Sequence, residues 1–178
     1  DLLLRLINDI LDISRLESGK LDFYYEECNV ESLCKEVLAS VEATCKYPVE
    51  FTFESFDPNF YMVTDIQRLQ QVLLNILSNS CKFTKEGSII LNYKVDEMKK
   101  MIFFSVTDTG EGIGEGEEEM IFDRFKKLND FVQGSGLGLA ICKDLLKAMG
   151  GTIGYHSATT GGACFYFTLP LATELSLE

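Results

Sequence analysis

The apolar positions of the chain recur with two periods, one typical of helices and the other of strands. Residues 1–18 carry apolar side chains at helical spacing, in a stripe so wide that it needs partners on more than one side, as in a helical bundle. The same spacing predicts three further helices: one capped by Asn29, one capped by Asp65, and one over residues 137–149.

Strands are predicted where apolar residues alternate, or form short runs, between turn signals. The predicted strands are residues 21–25, 49–53, 60–63, 88–95, 101–107, 152–158 and 163–169. A polar, glycine-rich stretch at 109–135 is predicted as loop, with a short helix near 117–121. Together these elements favour an α/β fold: a two-layer sandwich of a mixed β-sheet with helices on one face, preceded by one bundle helix.

Composition narrows the possible functions. The 178 residues are 46% hydrophobic, enough for the core of about one domain. Sixteen Lys and Arg against 28 Asp and Glu give a net charge of −12, which disfavours nonspecific binding to nucleic acid. No apolar run reaches the roughly 18 residues that span a bilayer. The six cysteines are scattered and there is one histidine, so a Cys/His zinc site has little support, and we expect reduced, buried cysteines in a cytosolic protein.

The predicted helix that is capped by Asp65 has a polar face, and this face is the first candidate for a functional site. Asn75, Asn79 and Lys82 lie at i, i+4 and i+7, so their side chains share one face. An ordinary solvated face would look the same. Alternatively, amide oxygens can hold Mg²⁺ and a lysine can offset phosphate charge, which indicates a polyphosphate site.

Two glycine-rich segments are the other candidates. Residues 108–114 place a carboxylate and three glycines directly after an apolar strand, where the carboxylate could accept a hydrogen bond from an exocyclic amine. Residues 134–139 lead straight into a helix whose free amides could bind an anion. Each segment alone could be an ordinary turn. A dinucleotide fold is disfavoured because loop, not strand, precedes 134–139, and no Walker A motif occurs.

In their order and spacing these segments resemble the sequence boxes of sensor histidine kinases. Residues 75–84 are similar to the N box, 108–112 to the G1 box, 121–125 to the F box and 134–141 to the G2 box. Residues 1–20 resemble the second helix of that family's dimerisation and histidine-phosphotransfer bundle.

The resemblance implies a domain organisation and a reaction. Residues 1–20 would end the bundle helix, and 21–178 would form a catalytic domain of the Bergerat, or GHKL, ATP-binding fold with a short lid at about 123–135, as in hybrid sensor kinases. The parent would transfer the γ-phosphoryl group of Mg-ATP to a histidine on the first bundle helix, and then to a response-regulator aspartate. The implied partners are its own bundle, a receiver domain and, in the full-length parent, a second subunit. The domain would be cytoplasmic, in a membrane-anchored sensor.

The resemblance also implies roles for matching residues. Asp108 would bind the adenine amine, Asn79 would hold Mg²⁺, and Asn75 and Lys82 would lie at the phosphates. Arg124 or Lys126 would stabilise the transferred phosphoryl group, since such catalysis is mostly positioning and electrostatics. The implied nucleotide-binding residues are Asn75, Asn79, Lys82, Phe83, Asp108, Gly110, Gly112, Ile113, Phe125, Gly134, Ser135, Gly136, Leu137, Gly138, Leu139 and Thr168.

Departures from the family pattern define the alternatives. Related ATPases and serine kinases carry a glutamate where this chain has Asn75, and an amide is no general base, which favours phosphorylation of histidine. No histidine lies within residues 1–20, and His156 is expected to be a structural or surface residue, so the chain should bind ATP without phosphorylating itself. Glu111 and Gly114 stand where the family usually has an apolar residue and a proline, and we expect a looser adenine loop or weaker binding. A nucleotide-sensing module without catalysis, and an ATPase or serine kinase of the same fold, remain the alternatives.

Overall fold

The computed structural model describes residues 2–127, 134–159 and 161–171. Within these ranges an N-terminal helix is followed by a series of strands and helices. The elements in chain order are α1 (Leu2–Glu17), β1 (Glu26–Asn29), α2 (Val30–Thr44), β2 (Val49–Ser55), β3 (Tyr61–Thr64), α3 (Ile66–Phe83), β4 (Gly87–Asp96), β5 (Met101–Asp108), a 3-10 helix (Met120–Phe122), α4 (Gly138–Ala148), β6 (Thr152–Ser157) and β7 (Ala163–Pro170).

A mixed five-stranded sheet in the order β2-β4-β5-β7-β6 forms one layer. Only β2 and β4 run parallel, and the other pairs are antiparallel. Along β5 every second residue is buried, which points one face of the sheet at the helices. On that face Phe104 lies between Tyr93 and Phe167, with ring centroids 6.1 and 4.6 Å away. The predicted α/β sandwich is therefore confirmed.

The helices of the second layer begin where the sequence predicts. The side chain of Asn29 accepts a hydrogen bond from the amide of Ser32, and that of Asp65 from the amide of Arg68. Each cap satisfies an amide that has no partner within its helix. The buried apolar residues of α2 and α3 pack against the sheet and against each other, and the side chain of Asn75 in α3 contacts α4.

Two local predictions are wrong. Residues 21–25 form no strand; the amide of Tyr24 instead donates to the side chain of Asp65. The strand begins at Glu26 and pairs antiparallel with β3 in a separate two-stranded sheet. The helix expected at 117–121 is a single 3-10 turn at Met120–Phe122.

The prediction of six reduced cysteines is wrong for one pair. Cys45 and Cys81 are joined by a disulfide. Cys45 follows the end of α2 and Cys81 lies in the last turn of α3, and these two helices pack side by side, so cysteines that are distant in sequence meet in space. The remaining cysteines are free and buried, as predicted: Cys28, Cys34, Cys142 and Cys164.

Helix α1 packs on α4 through one side only. Ile13 is buried and Leu6 and Leu16 are partly buried against the core. The opposite side leaves Ile7 and Leu11 each 46% exposed. In the described part of the chain, no helix combines the length and the apolar character needed to cross a membrane.

Candidate functional site

One cavity of about 580 Å³ brings together the three segments singled out from the sequence. Its walls come from α1, α3, the loop that follows β5, the segment before α4, and β7. Most of the predicted catalytic and binding residues line it: Asn75, Asn79, Lys82, Phe83, Asp108, Gly112, Ile113, Lys126, Gly134, Ser135, Gly136, Gly138 and Leu139.

A buried carboxylate forms one end of the cavity. Asp108 is the last residue of β5 and is 3% exposed. Its Oδ1 accepts hydrogen bonds from the amides of Gly110, at 2.9 Å, and Ala163, at 3.2 Å. Burial raises the pKa of this carboxyl, while the two amides and the Ser80 hydroxyl act to lower it. The anchored carboxylate can accept a hydrogen bond from a ligand amine in the cavity.

Glycines allow the backbone to close around this carboxylate. A Cβ on Gly110 would lie 2.5 Å from the carbonyl oxygen of Phe83, and one on Gly162 would lie 1.9 Å from the carbonyl oxygen of Asp108. Neither approach leaves room for a side chain. Gly110 therefore shapes the cavity from behind, by donating its amide to Asp108, and does not line it.

The amide side chains of α3 form the middle of the cavity. Asn75 is buried, so the solvated-face alternative is wrong at this position. Its Nδ2 donates to the carbonyl oxygen of Gly138 at 3.4 Å, and its Oδ1 accepts from Nη2 of Arg5 at 2.6 Å. Asn79, one turn later, lines the cavity and is half-buried.

A positively charged side of the cavity lies beside these amides. Lys82 is half-buried, and Lys126 and Lys127 reach the cavity from the segment before α4. Burial lowers the pKa of Lys82, and the charges of Arg5 and Lys127 lower it further. Positive charge is thus concentrated locally in a chain whose net charge is −12. This side of the cavity is suited to an anionic ligand.

Several predicted site residues lie elsewhere. The guanidinium of Arg124 forms ion pairs with Glu17 and Asp144 outside the cavity. Phe125 is 67% exposed, and its amide donates to the carbonyl oxygen of Gly136, so it contributes backbone alone. Leu137 is fully buried in the core.

Thr168 is also displaced from its predicted place. It lies five residues along β7 from Ala163, about 16 Å at ordinary strand rise. Its hydroxyl accepts a hydrogen bond from the amide of Thr152 at 3.1 Å. The register of β7 places Ala163, and not Thr168, beside Asp108.

Other cavity residues were not identified from the sequence. Ala163 and Phe165 come from β7, and Glu117 from the loop after β5. Arg5 and Leu6 come from α1 and lie far from the boxes in sequence. An alternation of apolar residues could have indicated Phe165, but no local signal distinguishes Arg5. Residues 128–133 of the predicted lid lie outside the described residues.

Comparison with known proteins assigns the family. Residues 64–173 match the family described as histidine kinase-, DNA gyrase B-, and HSP90-like ATPase. Because this match covers more than half of the chain, the protein belongs to that ATPase family, and its fold is that of an ATP-binding domain.

Individual relatives indicate which class of protein within this family the chain resembles. The chain is 33% identical to hybrid signal transduction histidine kinase D of Dictyostelium discoideum, over 97% of this chain and 12% of that protein. It is also 33% identical to sensor histidine kinase WalK of Bacillus subtilis, over 97% of this chain and 29% of that protein. The chain thus spans less than a third of these relatives.

Solved structures also point to sensor histidine kinases. Full-length ShkA in complex with AMPPNP superposes with a TM-score of 0.85 at 33% identity, over 96% of this chain and 36% of that one. The nucleotide-free catalytic domain of histidine kinase ThkA superposes with a TM-score of 0.74 at 28% identity, over 85% of this chain and 100% of that one. The chain is therefore a catalytic ATP-binding domain of the kind found in sensor histidine kinases.

Proposed function

We propose that this chain binds Mg-ATP and, within its parent protein, transfers the γ-phosphoryl group to a histidine on the first helix of the bundle that α1 belongs to. A receiver-domain aspartate would then take the group. The observation that carries the proposal is a cavity that is lined by a buried carboxylate, two amides and three lysines together. Carboxylate, amide and cation are the groups needed for an adenine, a metal ion and phosphates, respectively.

The proposal divides the chain at about residue 20. Residues 1–20 would belong to the bundle, and residues 21–178 would form the catalytic unit, with the lid at 123–135. We further propose that the parent is a dimeric, membrane-anchored sensor with this domain in the cytoplasm. These statements rest on the likeness to sensor kinases that are several times longer than this chain.

Asn79 is the proposed magnesium ligand. Its side chain faces the cavity and offers a neutral oxygen, a ligand that Mg²⁺ accepts. In the described ranges, no group of three or more His, Cys, Asp or Glu side chains could hold a metal ion. The metal would therefore complete its coordination with phosphate oxygens and water. It would supply charge neutralisation at the phosphates.

The proposed roles of the remaining residues follow from position. Asp108 would accept the adenine amine, and Lys82 and Lys126 would balance phosphate charge. Of the two candidates for the transferred phosphoryl group, Lys126 is favoured over Arg124 because only Lys126 reaches the cavity. Asn75 cannot act as a general base on water, so ATP would be kept for a protein acceptor.

A labelling experiment tests this function. The first bundle helix of the parent, with its histidine, is joined to residue 1, and the fusion is incubated with ATP labelled at the γ-phosphate. We expect acid-labile, alkali-stable label on the fusion, and none on the unfused chain, which should still bind ATP. Replacing the bundle histidine by glutamine is the matched control and should remove the label.

The same experiment separates the alternatives. Rapid release of labelled phosphate without protein label would indicate an ATPase, and acid-stable label would indicate a serine kinase. ATP binding with neither label nor release would indicate a sensing module. Any of these outcomes contradicts the proposed histidine kinase.

A further inference from the structure

Arg5 of α1 reaches the cavity from outside the sandwich. Its side chain lines the cavity, as do Lys82 and Gly134, and its Nη2 donates to Oδ1 of Asn75 at 2.6 Å. The same Asn75 donates to the carbonyl oxygen of Gly138, the first residue of α4. Asn75 therefore ties α1 to the two helices between which the cavity opens.

Among the described residues, the charge of Arg5 is not compensated by an ion pair. In the described ranges Arg68 pairs with Asp12, and Arg124 pairs with Glu17 and Asp144, but no carboxylate pairs with Arg5. Asp9, one turn along α1, is close enough to interact: burial raises the pKa of its carboxyl and the charge of Arg5 lowers it. An arginine whose firm bond is to a neutral amide keeps donors for an anion.

Neighbouring cations make an anion favourable at this place. Burial lowers the pKa of Lys82, and the positive charges of Arg5 and Lys127 lower it further. These three cations thus repel one another around the cavity. An anionic group among them would remove this repulsion, and the planar guanidinium fork matches phosphate oxygens.

We propose that Arg5 is a nucleotide-binding residue supplied by α1: its guanidinium, held by Asn75, binds phosphate oxygens of a nucleotide in the cavity. The inference rests on the proposed function, because it takes the ligand to be an adenine nucleotide. Its consequence is a coupling between the nucleotide and the bundle. If phosphate binding uses Arg5, the nucleotide must by reciprocity strengthen the docking of α1.

The test compares ligands with and without phosphates on the whole 178-residue chain. Calorimetry measures the affinities of ATP and adenosine for the unchanged chain, Arg5→Gln, Arg5→Lys and Arg15→Gln. Arg15 is the matched control, because it is an exposed arginine on the same helix, as Arg5 is, but does not line the cavity. We expect Arg5→Gln to weaken ATP binding about 10-fold or more, the usual effect of losing a charged hydrogen bond, and to leave adenosine within about 2-fold. Arg5→Lys should fall between, and Arg15→Gln should change neither.

Each other outcome has a defined meaning. If Arg5→Gln binds ATP as tightly as the unchanged chain, the inference is overturned while the proposed function stands. Equal losses for ATP and adenosine would mean that Arg5 only supports the fold, which also overturns it. If Arg5→Gln does not fold, Arg5→Lys decides, because its ATP affinity must fall while adenosine binding is kept. An unchanged chain that binds neither ligand would refute the proposed function itself.

Discussion

Asp108 lies in surroundings that disfavour its charge. Burial raises the pKa of its carboxyl, and the opposing hydrogen bonds from Gly110 and Ala163 lower it only in part. A purely structural position would be served as well by an uncharged group, so a carboxylate held here is a candidate for ligand binding.

We expect Asp108→Asn to weaken ATP binding about 10- to 100-fold, because a charge-assisted hydrogen bond to the adenine amine is lost. Calorimetry on the whole chain measures this. The substitution should not lower the melting temperature. A carboxyl whose pKa is raised on folding destabilises the fold when it is ionised, and the amide removes that penalty. Unchanged affinity would contradict the role of Asp108 in binding adenine.

The pH dependence of binding should follow the same carboxyl. As the pH falls through its raised pKa, Asp108 takes up a proton and loses its charge, so ATP affinity should begin to fall at a higher pH than for an ordinary aspartate. Asp108→Asn lacks this group and is the control for protonation of ATP itself. A parallel decline in both proteins would show that Asp108 does not titrate in this range.

The turn between β6 and β7 holds the end of β5 in place. Gly162 lies so close to Asp108 that a Cβ would be 1.9 Å from its carbonyl oxygen, whereas a Cβ on the neighbouring Gly161 would meet nothing within 4 Å. The first β7 residue, Ala163, donates its amide to the Asp108 side chain. The closing hairpin is thus part of the site, although it carries none of the charged groups.

Gly162→Ala should therefore affect both stability and binding. We expect a loss of about 1–3 kcal/mol in the free energy of unfolding, as for other overpacked positions, together with weaker ATP binding as Asp108 shifts. Gly161→Ala is the matched control. It should cost about 1 kcal/mol, because Gly161 has φ +93°, and should leave affinity unchanged. Denaturant unfolding and calorimetry measure the two effects; equal losses of affinity would refute this reasoning.

In the whole molecule, α1 is held to the sandwich by polar contacts as well as by its apolar side. Nη1 of Arg68, on α3, lies 3.0 Å from Oδ2 of Asp12, which also accepts from Gln71. The side chains of Arg68 and Asp12 are only 19% and 14% exposed. Ion pairs shielded from solvent in this way are screened less by salt than exposed ones.

A double-mutant cycle measures how firmly α1 is attached. Asp12→Asn and Arg68→Gln, singly and together, should give a coupling energy of about 1 kcal/mol in the free energy of unfolding. The exposed pair Glu97 and Lys100, with 71% and 76% of the side chains exposed, is the control and should give almost none. A coupling equal to that of the control would mean that α1 docks by apolar packing alone.

Local features of the fold could be predicted, and those that depend on distant partners could not. Asn29 and Asp65 were predicted as caps and are confirmed, because a cap needs only the adjacent turn. The strand expected at 21–25 is wrong, because its true position is fixed by pairing with β3, on the far side of α2 and β2. The hairpins were predicted because both their strands are near in sequence.

The functional groups of the cavity could be predicted from short sequence segments, because a carboxylate after a strand or amides one turn apart need only local geometry. Which of those groups face a common ligand depends on long-range packing. The ion pairs of Arg124 and the register of β7 remove Arg124 and Thr168 from the cavity, and the docking of α1 adds Arg5. Helix docking and strand register depend on many weak contacts between residues that are remote in sequence. Only the tertiary structure therefore determines them.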